Sequence, residues 1–357
     1  MPRLKSIISF LIISFLISGC QTRYIARIGY HQFRIIISQR PVEEVLNDGS
    51  LSKDQQDKIR LILEARNFAE REMGLKQSNN YSQYVHLDKD VLAHILTAAP
   101  KDRLESKQWW FPIVGHFPYK GFFDLQALEK ERAELEQNDF DTFVQPMAAY
   151  STLGWFLDPI FSTYLDMEDH DLADMVIHES VHLTLFVKGN MAFNEQMATF
   201  LGRMGAIRFL ERFRGEGSKE AQAARNRWAD DLLFVRWMKQ MVADLEKLYT
   251  SNITSAEKIR RREHIFRYYQ EEFQQLSHQL LTDDYMWIQR ERLNNAVVLA
   301  MRTYLNRIEL FSHAFEMAGR DLIRLVGVLK EVCREKDKPI ENLQRGIEAG
   351  PQVSPRL

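Results

Sequence analysis

A chain of 357 residues is long enough for one large domain or two modest ones. With 45% hydrophobic and 27% charged residues it has ordinary globular proportions. A formal net charge of −2 gives neither the basic surplus of a nucleic-acid partner nor an acidic solvating block.

The N-terminus is laid out like a bacterial lipoprotein leader. Arg3 and Lys5 form a basic start, and residues 7–17 form an apolar stretch too short to span a bilayer comfortably. Ile17-Ser18-Gly19-Cys20 resembles a lipobox, so cleavage before Cys20 and its lipidation are expected. An uncleaved anchor is the other reading of the stretch. Either way the remainder is tethered to a membrane on the periplasmic side, and Gln21 in place of an aspartate directs it to the outer membrane. Cys333 is then the one thiol left, with no partner for a disulfide. It follows Leu325, Val328, Leu329 and Val332 at helical spacing, which makes it a small core residue rather than a nucleophile.

Residues 20–50 read as a stem. Ser52 caps a helix to about Met73, with Ile59, Leu61, Ile62, Ala65 and Phe68 at helical spacing. Residues 81–87 and 109–114 are rich in aromatic and β-branched side chains and read as strands. Residues 115–121 read as a turn into another extended piece. A polar helix is expected over 125–136, then a strand over 143–152 that Pro146 places at a sheet edge. From Asp171 onward the pattern is helical: near 171–188, 194–214, 218–250, 255–281, 284–309 and 311–334. The tail from Lys336 reads as loose. No period of 20–50 residues repeats, which argues against a solenoid. The fold class is α+β and predominantly α-helical, with a small sheet in an α+β part (51–168) ahead of a helical part (169–335).

That helical part carries His178-Glu179-Ser180-Val181-His182. On a helix, His178 and His182 lie one turn apart on one face, so their imidazoles can converge on one Zn²⁺ with Glu179 beside it as general base. Val176, Ile177, Val181, Leu183 and Leu185 bury this helix on more than one face. Three ionisable groups in two buried turns need a reason, and a metal supplies one. The bland alternative is a solvated stripe. After a breaker at Lys188-Gly189-Asn190, a second antiparallel helix can start near Asn194 and turn Glu195 back toward the histidines as third ligand. The alternative role for Glu195 is compensation of the helix dipole. His170, Asp174 and Glu211 are other possible ligands, although Asp174 fits better as an acceptor that orients an imidazole.

His178-Glu179-Ser180-Val181-His182 followed by Asn194-Glu195-Gln196-Met197-Ala198 resembles the gluzincin metallopeptidases. Most of residues 20–335 resembles a bacterial family of predicted aminopeptidases of the envelope lipoprotein type, through 119–123, 150–156 and 293–296. The resemblance implies a zincin-like helical half and a zinc hydrolase with Glu179 as base and Glu195 as third ligand. It also implies a tyrosine hydroxyl for the oxyanion: Tyr304 is the candidate, with Tyr119 and Tyr150 nearer the sheet. Only twelve residues separate His182 from Glu195, and the G-x-M-E-N segment that holds a free amine in better-known gluzincins is absent, so peptide hydrolysis is implied more firmly than exopeptidase action. Tyr150, on the edge strand, and Asn294 and Asn295 are candidates to contact a peptide or protein substrate. The competing reading is a structural or chaperone-like envelope lipoprotein with a vestigial site.

Overall fold

The computed structural model describes residues 20–88, 91–111, 115–147, 157–335 and 337–348, with side chains from residue 24. The expected stem folds as α1 (Cys20–Ile37), β1 (Arg40–Pro41) and α2 (Val42–Asn47). Next comes α3 (Lys53–Glu72), opened by a full capping box: Ser52 accepts from the Gln55 amide and Gln55 accepts from the Ser52 amide.

Strands occupy the next stretch: β2 (Gln83–Val85), β3 (His94–Pro100), β4 (Trp109–Phe111), β5 (Gly115–Phe117) and β6 (Tyr119–Phe122). Helix α4 (Leu125–Gln137) follows, then β7 (Phe140–Pro146) and β8 (Ile160–Phe161). Among the described residues they form two three-stranded sheets, β1-β2-β8 and β6-β3-β7, and an antiparallel β4-β5 pair. β7 is an edge strand, as Pro146 requires, with Pro146 opposite His94 at its end.

The central strand β3 is absent from the sequence reading. Leu96, Ala98 and Ala99 are fully buried in it. Alanine has little strand preference of its own, which hides the strand in the sequence; α9 packs against β3 and β7, while Leu96 and Ala98 sit in the cluster under α4.

The helical half is α5 (Asp169–Thr184), α6 (Met191–Arg214), α7 (Lys219–Thr250), α8 (Ser255–Ser277), α9 (Asn295–Leu305), α10 (Ile308–Met317), α11 (Leu322–Arg334) and α12 (Pro339–Glu348). Three expectations are corrected. The 284–309 helix is a 3₁₀ turn (Met286–Gln289) and then α9, because Asn294 caps a fresh helix by accepting from the Val297 amide. The 311–334 helix breaks at Gly319 and Arg320, both at positive φ (73° and 57°). The tail is not loose through 348, because Leu343 of α12 is fully buried.

Helix α6 is the centre of the molecule. Its side chains from Phe193 to Gly202 are buried all round, and α3, α5, α7, α9, α10 and α11 pack on it. One apolar cluster runs from α1 to α12 through it, and a smaller one fills the space between α4 and the β3 sheet.

Candidate metal centre

Two helices build the site. Asp169 and Asp171 lie in the first turn of α5, where negative charge suits the helix dipole. His178 and His182 follow on one face. The chain leaves α5 at Thr184 and reverses through Gly189 at φ 82°, a conformation glycine adopts without strain. Helix α6 starts at Met191, three residues before the expected point, and its N-cap residue is Asn190. Asn194 is therefore not the cap. It is fully buried, its amide donates to the Val187 carbonyl and its Oδ1 accepts from the Val187 amide, both at 2.9 Å. That two-bond stitch fixes the reversal and sets the rotation of α6, so that the next residue, Glu195, faces α5.

The α5–α6 contact is close because of two glycines. A Cβ at Gly202 would clash with the Asp174 carboxylate and lie 3.3 Å from the His178 Cβ. One at Gly205 would meet Ile177 and Met73 at 2.9–3.1 Å.

The result is a triangle of donors. His178 Nε2 lies 3.1 Å from His182 Nε2 and 3.4 Å from Glu195 Oε2, and His182 Nε2 lies 3.7 Å from that same oxygen. Three ligands held about 2.0–2.2 Å from a tetrahedral ion stand roughly 3.4 Å apart, so the donor set has the size a small divalent ion requires. Two imidazole nitrogens aimed at one another beside a carboxylate form an arrangement that a shared cation satisfies from all three sides. His178, His182 and Glu195 are the one such group among the described residues; His170 and Glu211 do not join it. His170 instead lies 3.8 Å from Asp171, and Glu211 pairs with Arg225.

The electrostatics match. Burial works to raise the Glu195 carboxyl, but hydrogen bonds from His178 and His182 hold it far below the usual carboxylate range. Burial works to lower His178, and the Glu195 hydrogen bond with the Glu179, Glu195 and Asp174 charges raises it on balance. Glu179 Oε2 is buried with no hydrogen-bond partner among the described residues, as is His182 Nδ1. A buried, unpartnered carboxylate oxygen is costly unless a proton or a donor visits it.

Three buried tyrosines feel the charge of one or both of these carboxylates. Burial first, then Glu195, Tyr119 and Glu179, raise the Tyr304 hydroxyl. Burial, Glu195 and Glu179 do the same to Tyr119 on β6. Burial and Glu179 raise Tyr81 most. All three phenols thus remain protonated donors.

Tyr81 escaped the sequence reading, which put it in a strand. It sits instead at φ 64°, a left-handed conformation rare for an aromatic residue. Its amide donates to the Asp158 carbonyl (2.7 Å), and the Asn80 amide donates to Asp158 Oδ2 (3.0 Å). The turn-forming pair Asn79-Asn80 was the available signal.

Other candidates are placed as follows. Asp174 lies one turn before His178, paired with Arg203; its Oδ1 has no hydrogen-bond partner among the described residues, so no bond to an imidazole forms. Arg203 also donates to Asp231 Oδ2 at 2.7 Å, and the Tyr285 hydroxyl donates to the other oxygen of Asp231. Sequence reading missed this buried network, whose members lie far apart in the chain.

Asn295 is fully buried: its amide donates to the Pro100 (2.8 Å) and Arg103 (3.1 Å) carbonyls, and its Oδ1 accepts from Tyr249. The Asn294 amide donates to the Thr142 carbonyl (3.1 Å). Both asparagines therefore lock α9 to β3 and β7. Tyr150 lies outside the described residues, as does the Cys20 side chain.

Fold and site together define a predominantly helical α+β protein with a His–His–Glu group able to hold a metal ion. The chain belongs to the family described as "Putative aminopeptidase", whose model matches residues 23–342. No curated protein and no solved structure matches it.

Proposed function

We propose that this chain is a zinc-dependent peptidase, tethered through Cys20 to the bacterial cell envelope and facing the periplasm at the outer membrane. The observation that carries the hydrolase reading is the convergence of His178, His182 and Glu195 at 3.1–3.7 Å with Glu179 beside them. The family description supports a peptide substrate and release of N-terminal residues.

His178, His182 and Glu195 would hold the zinc. When bound, it supplies Lewis acidity, polarising the scissile carbonyl and easing deprotonation of water. Glu179 takes the proton of the attacking water on its unpartnered Oε2 and returns it to the leaving amine. Tyr304, kept protonated by its surroundings, donates to the developing oxyanion. The outer edge of β7 offers backbone groups to an extended peptide from Phe143 toward Pro146, since at Thr142 the carbonyl is already taken by Asn294.

The test is metal content by mass spectrometry with peptide hydrolysis on the same samples. About one zinc per chain, kept in Glu179→Gln and lost in His178→Ala, with hydrolysis lost in both, is expected. Cleavage of free but not acetylated N-termini would mark an aminopeptidase. A folded wild-type chain that takes up no stoichiometric zinc overturns the reading in favour of a structural lipoprotein.

A further inference from the structure

Helix α1 has three distinct faces. Tyr24, Ile28, His31 and Ile35 turn toward the protein: Tyr24 packs on the Phe111 and Phe122 rings at 5.7 and 5.8 Å, and His31 stacks on Phe123 at 4.7 Å. A second face carries Ile25, Gly29, Tyr30, Phe33, Ile36 and Ile37. At 100° per residue these span roughly 140° of arc over about 18 Å of helix. The five large side chains among them are 38–62% exposed. The third face, between the other two, carries Arg27 and Arg34, both exposed. Arg27 is within 3.2 Å of Asp124.

Scattered exposed apolar residues are normal, but a continuous stripe along one helix is not. Two observations say what covers it. The apolar stretch 7–17, with Arg3 and Lys5 before it, ends just ahead of α1, so the tether proposed above would start the helix at a membrane surface. The arginines bordering the stripe complement anionic headgroups. Among the described residues no helix is long and apolar enough to cross a membrane.

We infer that the exposed face of α1 seats in the headgroup layer of an anionic bilayer and holds the body of the protein against the lipid surface. This rests on the membrane tether proposed above and is independent of the hydrolase reading. The anchor alone would leave the body free to tumble; the stripe fixes which side faces the lipid.

The test places the photoreactive residue p-benzoyl-phenylalanine at Phe33, or at the exposed Gln275 of α8, in the full chain. The protein is reconstituted in vesicles of phosphatidylethanolamine and phosphatidylglycerol, irradiated, and scored for adducts by mass spectrometry. Lipid adducts about tenfold more frequent at position 33 than at 275 support the inference. A chain that floats with the vesicles but gives equal or no lipid adducts overturns it and leaves the tether intact. Crosslinks from position 33 to a second copy overturn it in favour of a dimer face. A chain that does not float removes both tether and surface while leaving the peptidase assay unaffected.

Discussion

Glu179 and Tyr304 are each asked to handle one charge. Replacing Glu179 by Gln removes the proton acceptor but keeps its shape, and a loss of roughly 10²–10⁴ in kcat with metal content unchanged is expected. Tyr304→Phe removes one donor. Its expected signature is a fall of about 10²–10³ in kcat with KM nearly constant, since the bond matters only as charge develops on the substrate oxygen. An unchanged kcat would transfer that role to Tyr119, which feels the same two carboxylates. Cys333 is a contrasting case. Burial pushes its thiol up to about 11, so below that pH it stays protonated, and near pH 8 only about one part in a thousand is thiolate. Slow alkylation at pH 8 that speeds up tenfold per pH unit is the expected result, and fast labelling at neutral pH would contradict it. At this scale the residues of the HExxH run were legible from spacing alone. Tyr81 was not, because its importance lies in a left-handed backbone and in nearness to Glu179.

The α5–α6 pair is where local geometry becomes a site. Gly202→Ala forces a methyl into the space of the Asp174 carboxylate and the His178 stem. Lost zinc binding together with lowered thermal stability is expected, whereas the same change at Gly217, with open space around it, should be silent in both. Asn194→Ala leaves the buried Val187 amide unpaired, at about 1–3 kcal/mol, removes one of the two donors to the Val187 carbonyl, and loosens the reversal that aims Glu195. Weakened zinc affinity measured by competition with a chelator would confirm that Asn194 positions Glu195. The periodicity of α5, the breaker at Gly189 and the turn back to Glu195 could be read in the sequence. Strand β3 could not, because its alanines carry little strand preference, and only the packed structure sets it between α4 and α9.

Across the whole molecule, the site is held from behind by charge. Arg203 on α6 joins Asp174 of α5, which is largely buried, to Asp231 of α7, which is fully buried. Arg203→Met strands two buried acids, and a loss of about 3–5 kcal/mol in unfolding free energy is expected. Denaturant titration reads it directly; a change under 1 kcal/mol, near what a surface pair is worth, would mean the network contributes little. A bound ion should stabilise in turn. Zinc added to the stripped protein at a hundred times its Kd contributes about 2.7 kcal/mol, so Tm should rise with zinc in the wild type and stay flat in Glu195→Ala.

Features governed by near neighbours along the chain are written directly in the residue order. The two histidines share a helix face because they are four residues apart, Ser52 and Gln55 box a helix end because they are three apart, and Pro146 confines its strand to an edge because it lacks an amide hydrogen. Tertiary structure alone decided which distant groups meet. The influence of Glu179 on Tyr81, Tyr119 and Tyr304, the tie from Arg203 to Asp231, and the locking of Asn295 onto Pro100 and Arg103 all depend on how helices and strands far apart in the chain come to pack. The physical reason is that spacing sets direction within one element. Distance between elements is set by the side-chain volumes at their contacts, and here those are as small as Gly202 and Ala98.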